Sequence, residues 1–414
     1  MASARITELS TLIATNTEQL NAYFAENNLP TPSFDASALA TLPIPEARQD
    51  LKSACIAVIE ACSELSDLLS GPKELLNFKW TAYVSIKIIL RFSLDFSFPV
   101  GSNTTFSTMS EYSGLSVMNV RRVVRHAIYN HRFFEEKALG VITHSALTAT
   151  LVRDDKVRNA LIVQLDEFWP AGVKAADALE QWPNSEESSQ TGFSLANNSD
   201  KSMFDIFVGD RKRATRFAKF FDRSDEPAHI LLESYAWDNV KTFVDVGGSH
   251  GSIAIGVAER FPHVRCVVQD LEGTVKEGKE RLAPHLKDRV EFQTHNFFTS
   301  QTVTADVYYF RSIFHNWSDK YCIRILQSLT PALKPGSRII IHERILPDLN
   351  TLNTADAKGA INMDIGMLQL LNAQQREMHE WEVLFKSADK RYRYLGATKP
   401  DGAIRWIIEA QWQA

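Results

Sequence analysis

The chain has 414 residues, 44% of them hydrophobic and 23% charged, a soluble globular composition too long for one ordinary domain, so two domains are expected. Its net charge of −5 argues against a general nucleic-acid binder, which needs clustered lysine and arginine to neutralise phosphates. The opening "MASARITELSTLIATNTEQL" has no secretory apolar stretch, and no run of about 18 apolar residues occurs, so no membrane partner is expected and the cytoplasm is the expected compartment.

In chain order, "ITELSTLIATNTEQLNAYFAEN" and "ARQDLKSACIAVIEACSELSDLLS" carry apolar residues at helical spacing, with a Pro-rich connector between them that cannot be one continuous helix. The first domain, residues 1–180, is expected to be helical. Cys55, Cys62, Cys266 and Cys322 lack metal-ligand spacing and read as buried free thiols, which suits a reducing compartment.

"FSTMSEYSGLSVMNVRRVVRHAIYNHRFFEE" (106–136) reads as helix, turn at Gly114, and a second helix, the pattern of a DNA-reading helix-turn-helix with Arg121, Arg122 and Arg125 available for phosphates. Val117, Val120 and Val124 fall at the spacing of a buried face, so packing alone accounts for the second helix. No nucleic-acid partner is expected.

The loop-rich "WPNSEESSQTGFSLANNSDKS" (182–202) suggests a boundary, with a second domain over 200–414. Beyond Lys241, "TFVDVGG", "VRCVVQDL", "VEFQTHNFF", "ADVYYFRSIF" and "SRIIIHERIL" alternate with helix-like segments. That alternation is the signature of an α/β, doubly wound parallel sheet.

"FVDVGGSHGS" places a glycine loop at the carboxyl end of the first such strand, where these sheets bind ligands. The dinucleotide pattern G-x-G-x-x-G fails, because Ser249 and Ser252 stand at its glycine positions. The residues instead fit Asp-x-Gly-x-Gly-x-Gly with one substitution, through Asp245, Gly247, Ser249 and Gly251. Such a loop suits a nucleoside bearing an amino acid. Asp270 ends the next strand 19 residues beyond Gly251, about where a carboxylate accepts both ribose hydroxyls. An ordinary glycine-rich turn beside a surface aspartate is the plainer alternative.

Together with "FRSIFHNWSDKYCIRILQSLTPALKPGSRIIIHERILP", the loop resembles the S-adenosylmethionine (SAM)-dependent O-methyltransferases of the plant caffeate and flavonoid type, in their fungal secondary-metabolism branch. The resemblance is dense over 200–414 and looser over about 75–160. It implies a Rossmann-like SAM-binding domain, a helical winged-helix-like N-terminal dimerisation domain, a homodimer, and methyl transfer to a phenolic or enolic hydroxyl of a small aromatic or polyketide-type molecule. By the same resemblance, Gly247, Gly248 and Gly251 meet the methionine part of SAM, Asp270 its ribose, and Asn296, Phe297 and Arg311 its adenine side and surroundings. Phe204 and Phe207 are candidates to line the acceptor pocket, or simply helix core.

The transfer is an in-line displacement that also needs the hydroxyl proton removed. The resemblance makes His315 the base and Glu343 the carboxylate that orients it. Gln375 stands where relatives have a second glutamate, and a neutral amide orients an imidazole without stabilising its charge. Ser312 replaces a frequent tryptophan, which suggests a wider pocket. These departures keep an alternative open: a SAM-bound pericyclase, catalysing dehydration with cycloaddition or ene closure, in which His144 and Arg311 act on the substrate. No metal is expected, since His342 and Glu343 alternate faces on a strand.

Overall fold

The structure is a computed structural model and describes residues 2–221, 228–346 and 354–414. The chain divides into two compact units, Met1–Glu167 with Thr215–Arg223, and Phe168–Ala214 with Ser224–Ala414. The segment 182–202 therefore lies inside the second unit. Its short helix Gly192–Ala196 is pressed onto the helix Trp169–Val173, where a Cβ on Gly192 would fall 2.3 Å from the Ala171 carbonyl oxygen. Loop chemistry marks a lack of regular elements there, not a break in packing.

In the first unit the two expected helices run over Ala2–Glu26 and Gln49–Leu75, the latter kinked at Gly71-Pro72, and they meet through Tyr23, Phe24 and Leu51. The helices Phe106–Ser113 and Val117–His131 flank Gly114, whose φ of +74° suits a residue without a Cβ. A three-stranded sheet of Asn103–Thr105, which precedes these helices, with Val141–Thr143 and Glu135–Ala138, which follow them, brackets the same motif. The buried face of the second helix is Val120, Val124 and Ala127. Val117 is 45% exposed, against expectation, because it opens the helix just after the Ser116 cap, before the packed turns begin. Arg125 is committed to Glu136 by two bonds of 2.8 and 2.7 Å. Of the four free cysteines, Cys266 and Cys322 are buried while Cys62 is exposed, which corrects the expectation that all are buried.

The second unit is built on a seven-stranded sheet. Its strands are β1 (Thr242–Val246), β2 (Arg265–Asp270), β3 (Val290–Thr294), β4 (Val307–Arg311), β5 (Arg338–Glu343), β6 (Tyr392–Thr398) and β7 (Trp406–Trp412). They lie in the order β6-β7-β5-β4-β1-β2-β3. The first five are parallel, as the alternating pattern requires; β7 pairs antiparallel with β5 and β6 with β7. Among its helices are α1 (Ser252–Arg260), α2 (Glu272–Arg281), α3 (Asp319–Leu329), α4 (Thr354–Leu371) and α5 (Met378–Ala388).

The period of two along each strand splits the apolar side chains between two cores. Phe243, Val307, Tyr309 and Ile340 join Ile253, Ala254 and Val257 of α1 and Val275 of α2 on one face. Val244, Val246, Tyr308, Phe310, Ile339 and Ile341 join Ile325, Leu326 and Leu329 of α3 and Trp381 and Phe385 of α5 on the other. Strand order reverses between β1 and β4, and the carboxyl ends of these strands open the crevice in which such sheets bind ligands.

Candidate active site

The loop after β1 folds tightly against β2: the N–H groups of Gly247 and Gly248 both donate to the Gln269 carbonyl, at 2.7 and 3.2 Å. Gly247 has φ +70°, and a Cβ there would lie 2.7 Å from Ile313 Cδ1, so both backbone and neighbour demand glycine. A Cβ on Gly248 would strike the Asp245 carboxyl carbon at 2.5 Å, and Gly251 opens α1 in the left-handed region. Ser249, the one substitution in the glycine pattern, also has a positive φ, +51°. Its N–H is held by Asp270 Oδ2 at 2.9 Å, while Asp270 Oδ1 accepts from Leu271 N–H at 2.8 Å. A carboxylate has about four lone-pair sites, so two remain for a ligand.

Asp245 is buried beneath this loop. Burial pushes its carboxyl up to about 7, although the charge of Arg311 and the Ala254 N–H both pull it down. Its unfolded value is ~3.9, so the protonated form is the one the fold favours. That stabilisation is complete below the unfolded value and is lost as pH rises through about 7. Asp245→Asn should therefore melt close to the unsubstituted protein at pH 4 and higher than it at pH 8. Scanning calorimetry of the free protein checks this, and a variant melting lower at both pH values would contradict it.

Asn296 and Phe297 follow β3. Asn296 is exposed, and its Oδ1 already accepts from Phe298 N–H at 3.0 Å, which leaves one lone pair and the amide hydrogens. Phe297 is half-buried, edge-on to Phe298 and to Trp317, with Cε1 at 4.0 Å from a Cβ built on Gly247. Arg311 ends β4.

His315 sits on a single 3-10 turn, Phe314–Asn316, directly after β4. Glu343, at the end of the neighbouring β5, accepts from Phe314 N–H at 2.8 Å and His315 N–H at 3.4 Å through Oε1, and places Oε2 3.8 Å from His315 Nδ1. Gln375 Nε2 stands 2.9 Å from the same Nδ1. The two residues expected to flank the base are thus both on its Nδ1 side. His315 Nε2 is buried with no hydrogen-bond partner among the described residues, and so is Gln375 Oε1. Burial lowers the imidazole from its ordinary range, opposed by Glu343 and by a hydrogen bond to the Ser312 backbone and assisted by the positive charges of Arg405 and Arg376.

Two arginines not expected from the sequence complete this turn. Arg376, fully buried beside Gln375, donates to the carbonyls of Phe314 and Trp317 at 3.1 and 3.0 Å and to Asp319 Oδ1 at 2.9 and 2.8 Å. A carboxylate thus holds the turn's N–H groups and a guanidinium its carbonyls. The only sequence signal was adjacency to Gln375. Arg376→Met leaves the Phe314 and Trp317 carbonyls only the Cys322 thiol and, for Phe314, the Trp317 N–H. The loss of the charged donor should cost about 1.5–3 kcal/mol, read as a lowered unfolding midpoint in urea; an unchanged midpoint would show the clamp to be dispensable. Arg405, preceding β7, donates from Nε to Ser312 Oγ at 3.1 Å. The place of the frequent tryptophan is therefore approached by an arginine instead of being left open, and Ser312 itself takes a φ of +55°.

Phe204 lies over Trp317, with ring centroids 6.4 Å apart, two residues beyond His315. Phe207 is buried edge-on against Phe193. His144 belongs to the first unit, where it is buried against Phe98 and Phe134 with Nε2 3.1 Å from the Phe98 carbonyl, and burial lowers its basicity. Among the described residues no group of three His, Cys, Asp or Glu is placed to hold a metal ion, and no helix is long and apolar enough to cross a membrane.

Residues 187–390 match the family model of the O-methyltransferase domain. The chain is 39% identical over 422 residues to the O-methyltransferase AMT9 of Alternaria alternata, covering 99% of this chain and 98% of that protein. It is 30% identical to the chlorophenol O-methyltransferase of Trichoderma longibrachiatum, over 99% of this chain and 91% of that one. The crystal structure of OxaC superposes with a TM-score of 0.78 at 19% identity, covering all of both chains. Full-length identity at this level, on a sheet of this order, makes the chain a member of the SAM-dependent O-methyltransferase family.

Proposed function

We propose that the protein methylates a phenolic or enolic hydroxyl of a small aromatic or polyketide-type secondary metabolite, with His315 as the base. The observation that carries this reading is the buried, unpartnered His315 Nε2, on a ring fixed from its Nδ1 side by Gln375 and Glu343. A relative named for chlorophenol methylation fits a phenolic acceptor.

SAM, when bound, supplies an electrophilic methyl group on a positively charged sulfonium. The residues present fit it: a carboxylate at Asp270 with lone pairs to spare, an aromatic face at Phe297, and a Gly247 backbone without a Cβ between Ile313 and Phe297. Asp245, Gly248, Gly251, Asn296 and Arg311 complete the assigned cofactor set. His315 Nε2 takes the acceptor proton. A half-turn of the Gln375 amide sets Oε1 on Nδ1–H, which gives that oxygen the partner it lacks and leaves Nε2 with a lone pair toward the site. Glu343 stabilises the resulting imidazolium. Phe204 and Phe207 are assigned to the acceptor side.

The first unit, with its three-stranded sheet beside paired helices, is assigned as the winged-helix-like dimerisation domain. Leu76, Phe78 and Trp80, all largely exposed on one chain, suit burial in a homodimer. The four unpaired cysteines suit the cytoplasm. The test is incubation with SAM and a phenolic panel, following S-adenosylhomocysteine. Recovery of intact SAM beside a rearranged, isomeric product would replace this reading with the pericyclase.

A further inference from the structure

The charge around His315 limits what it can deprotonate. On its Nδ1 side stand the Gln375 amide at 2.9 Å, neutral at every pH, and Glu343 Oε2 at 3.8 Å. Glu343 shares its charge with the turn, since Oε1 accepts from the Phe314 and His315 N–H groups. Other charged groups stand on the neighbouring elements. Arg376 follows Gln375, Arg405 precedes β7, and both disfavour an imidazolium. Arg311 ends β4, and Asp364 on α4 accepts the Gln375 N–H at 2.7 Å. Burial removes the water that would otherwise solvate the charged ring, and His315 is lowered from the usual imidazole range.

An ordinary phenol titrates near ~10 and a free imidazole near ~6.5, so proton transfer between them is uphill by roughly three and a half decades before any stabilisation. A site meant to carry that transfer needs concentrated negative charge on the ring. This one has a single shared carboxylate outside hydrogen-bond distance, two guanidiniums, and only neutral groups, the Gln375 amide and the Ser312 backbone, in contact.

We infer that the acceptor is an acidic hydroxyl, the enol of a β-dicarbonyl or a phenol bearing electron-withdrawing groups, because Gln375 and the distant Glu343 leave His315 too poor in negative charge to hold the proton of an ordinary phenol. The inference rests on the methyl-transfer reading. The acceptor's O–H proton passes to His315 Nε2, or has already gone to solvent when the anion binds. An oxygen lone pair then forms the O–CH3 bond as the S–CH3 bond breaks, and that bonding pair stays on sulfur. Gln375 acts through His315 and is a positioning residue: it fixes the ring and withholds charge from it.

The test titrates the free protein labelled with 13C-histidine, following the His315 resonance by NMR and assigning it by its loss in His315→Ala. In the unsubstituted protein the ring should stay neutral to below ~6.5. Gln375→Glu, which adds a carboxylate in contact, should raise the midpoint by about one to three units, and Glu343→Gln should lower it. In parallel, phenols graded from unsubstituted to trihalogenated are assayed with SAM. Relative kcat/KM should rise steeply with acceptor acidity in the unsubstituted protein and more shallowly in Gln375→Glu. A His315 midpoint at or above the ordinary value, or the same acceptor dependence in both proteins, overturns the inference. Bound SAM with no S-adenosylhomocysteine from any acceptor overturns the transferase reading itself, and the inference with it.

Discussion

Replacing His315 with alanine lowers kcat by about 10²-fold or more, while SAM binding measured by calorimetry stays within twofold. The lower end of the range for general-base catalysis is expected when the acceptor arrives as its anion, and the loss should deepen as less acidic acceptors are used. The ring lies in a turn whose N–H groups are held by Glu343 and whose carbonyls are held by Arg376. Truncation at Cβ therefore removes the base without releasing the backbone that carries it. The measurement is S-adenosylhomocysteine formation under saturating SAM, with the variant's melting temperature as a control. Retention of more than about a tenth of kcat would remove His315 from the role of base.

Asp270→Ala is expected to weaken SAM binding by about 10²-fold, the loss of roughly two hydrogen bonds to a charged acceptor at 1.5–3 kcal/mol each, partly offset by water. Part of the loss comes from the loop. Asp270 Oδ2 holds the N–H of Ser249, and Ser249 is kept at a φ of +51° that a residue with a Cβ adopts at a cost. Without that bond the glycine loop loses one of its ties to β2. Asp270→Asn, which keeps an acceptor for the Ser249 N–H, should lose less, and comparing the two by calorimetry separates loop order from ribose contact. Affinity within threefold of the unsubstituted protein in a folded Asp270→Ala would show that SAM is held elsewhere.

The parallel strands were legible because each is a short apolar run, buried on both faces and punctuated by turn chemistry, so pattern and packing say the same thing. The hairpin of β6 and β7 was not called, although "KPDGA" is a turn signal between two runs with alternating apolar positions. Its mixed faces read less clearly than the five buried strands. Val117 shows the limit of periodicity: its spacing matched a buried stripe, yet it sits at a helix end where the neighbours that would cover it have not begun. Segment 182–202 shows the limit of composition, since a stretch rich in serine and asparagine packs within one unit through Gly192.

For the site, the sequence alone determined the residue types and their order: a glycine loop closing a first strand, an aspartate closing the second, a histidine and a glutamate at later strand ends, and a glutamine after a helix. Those follow from local rules, because a strand end, a turn and a glycine are each specified within a few residues. Tertiary structure decided which of them act as one group. It brought Gln375 and Glu343 to the same nitrogen of His315, left the other nitrogen buried without a partner among the described residues, and set Arg376 and Arg405 around a turn to which nothing nearby in sequence tied them. Charge at a buried ring depends on distances of a few ångströms between residues up to 90 positions apart in the chain, and only the packing of the sheet against its helices fixes those distances.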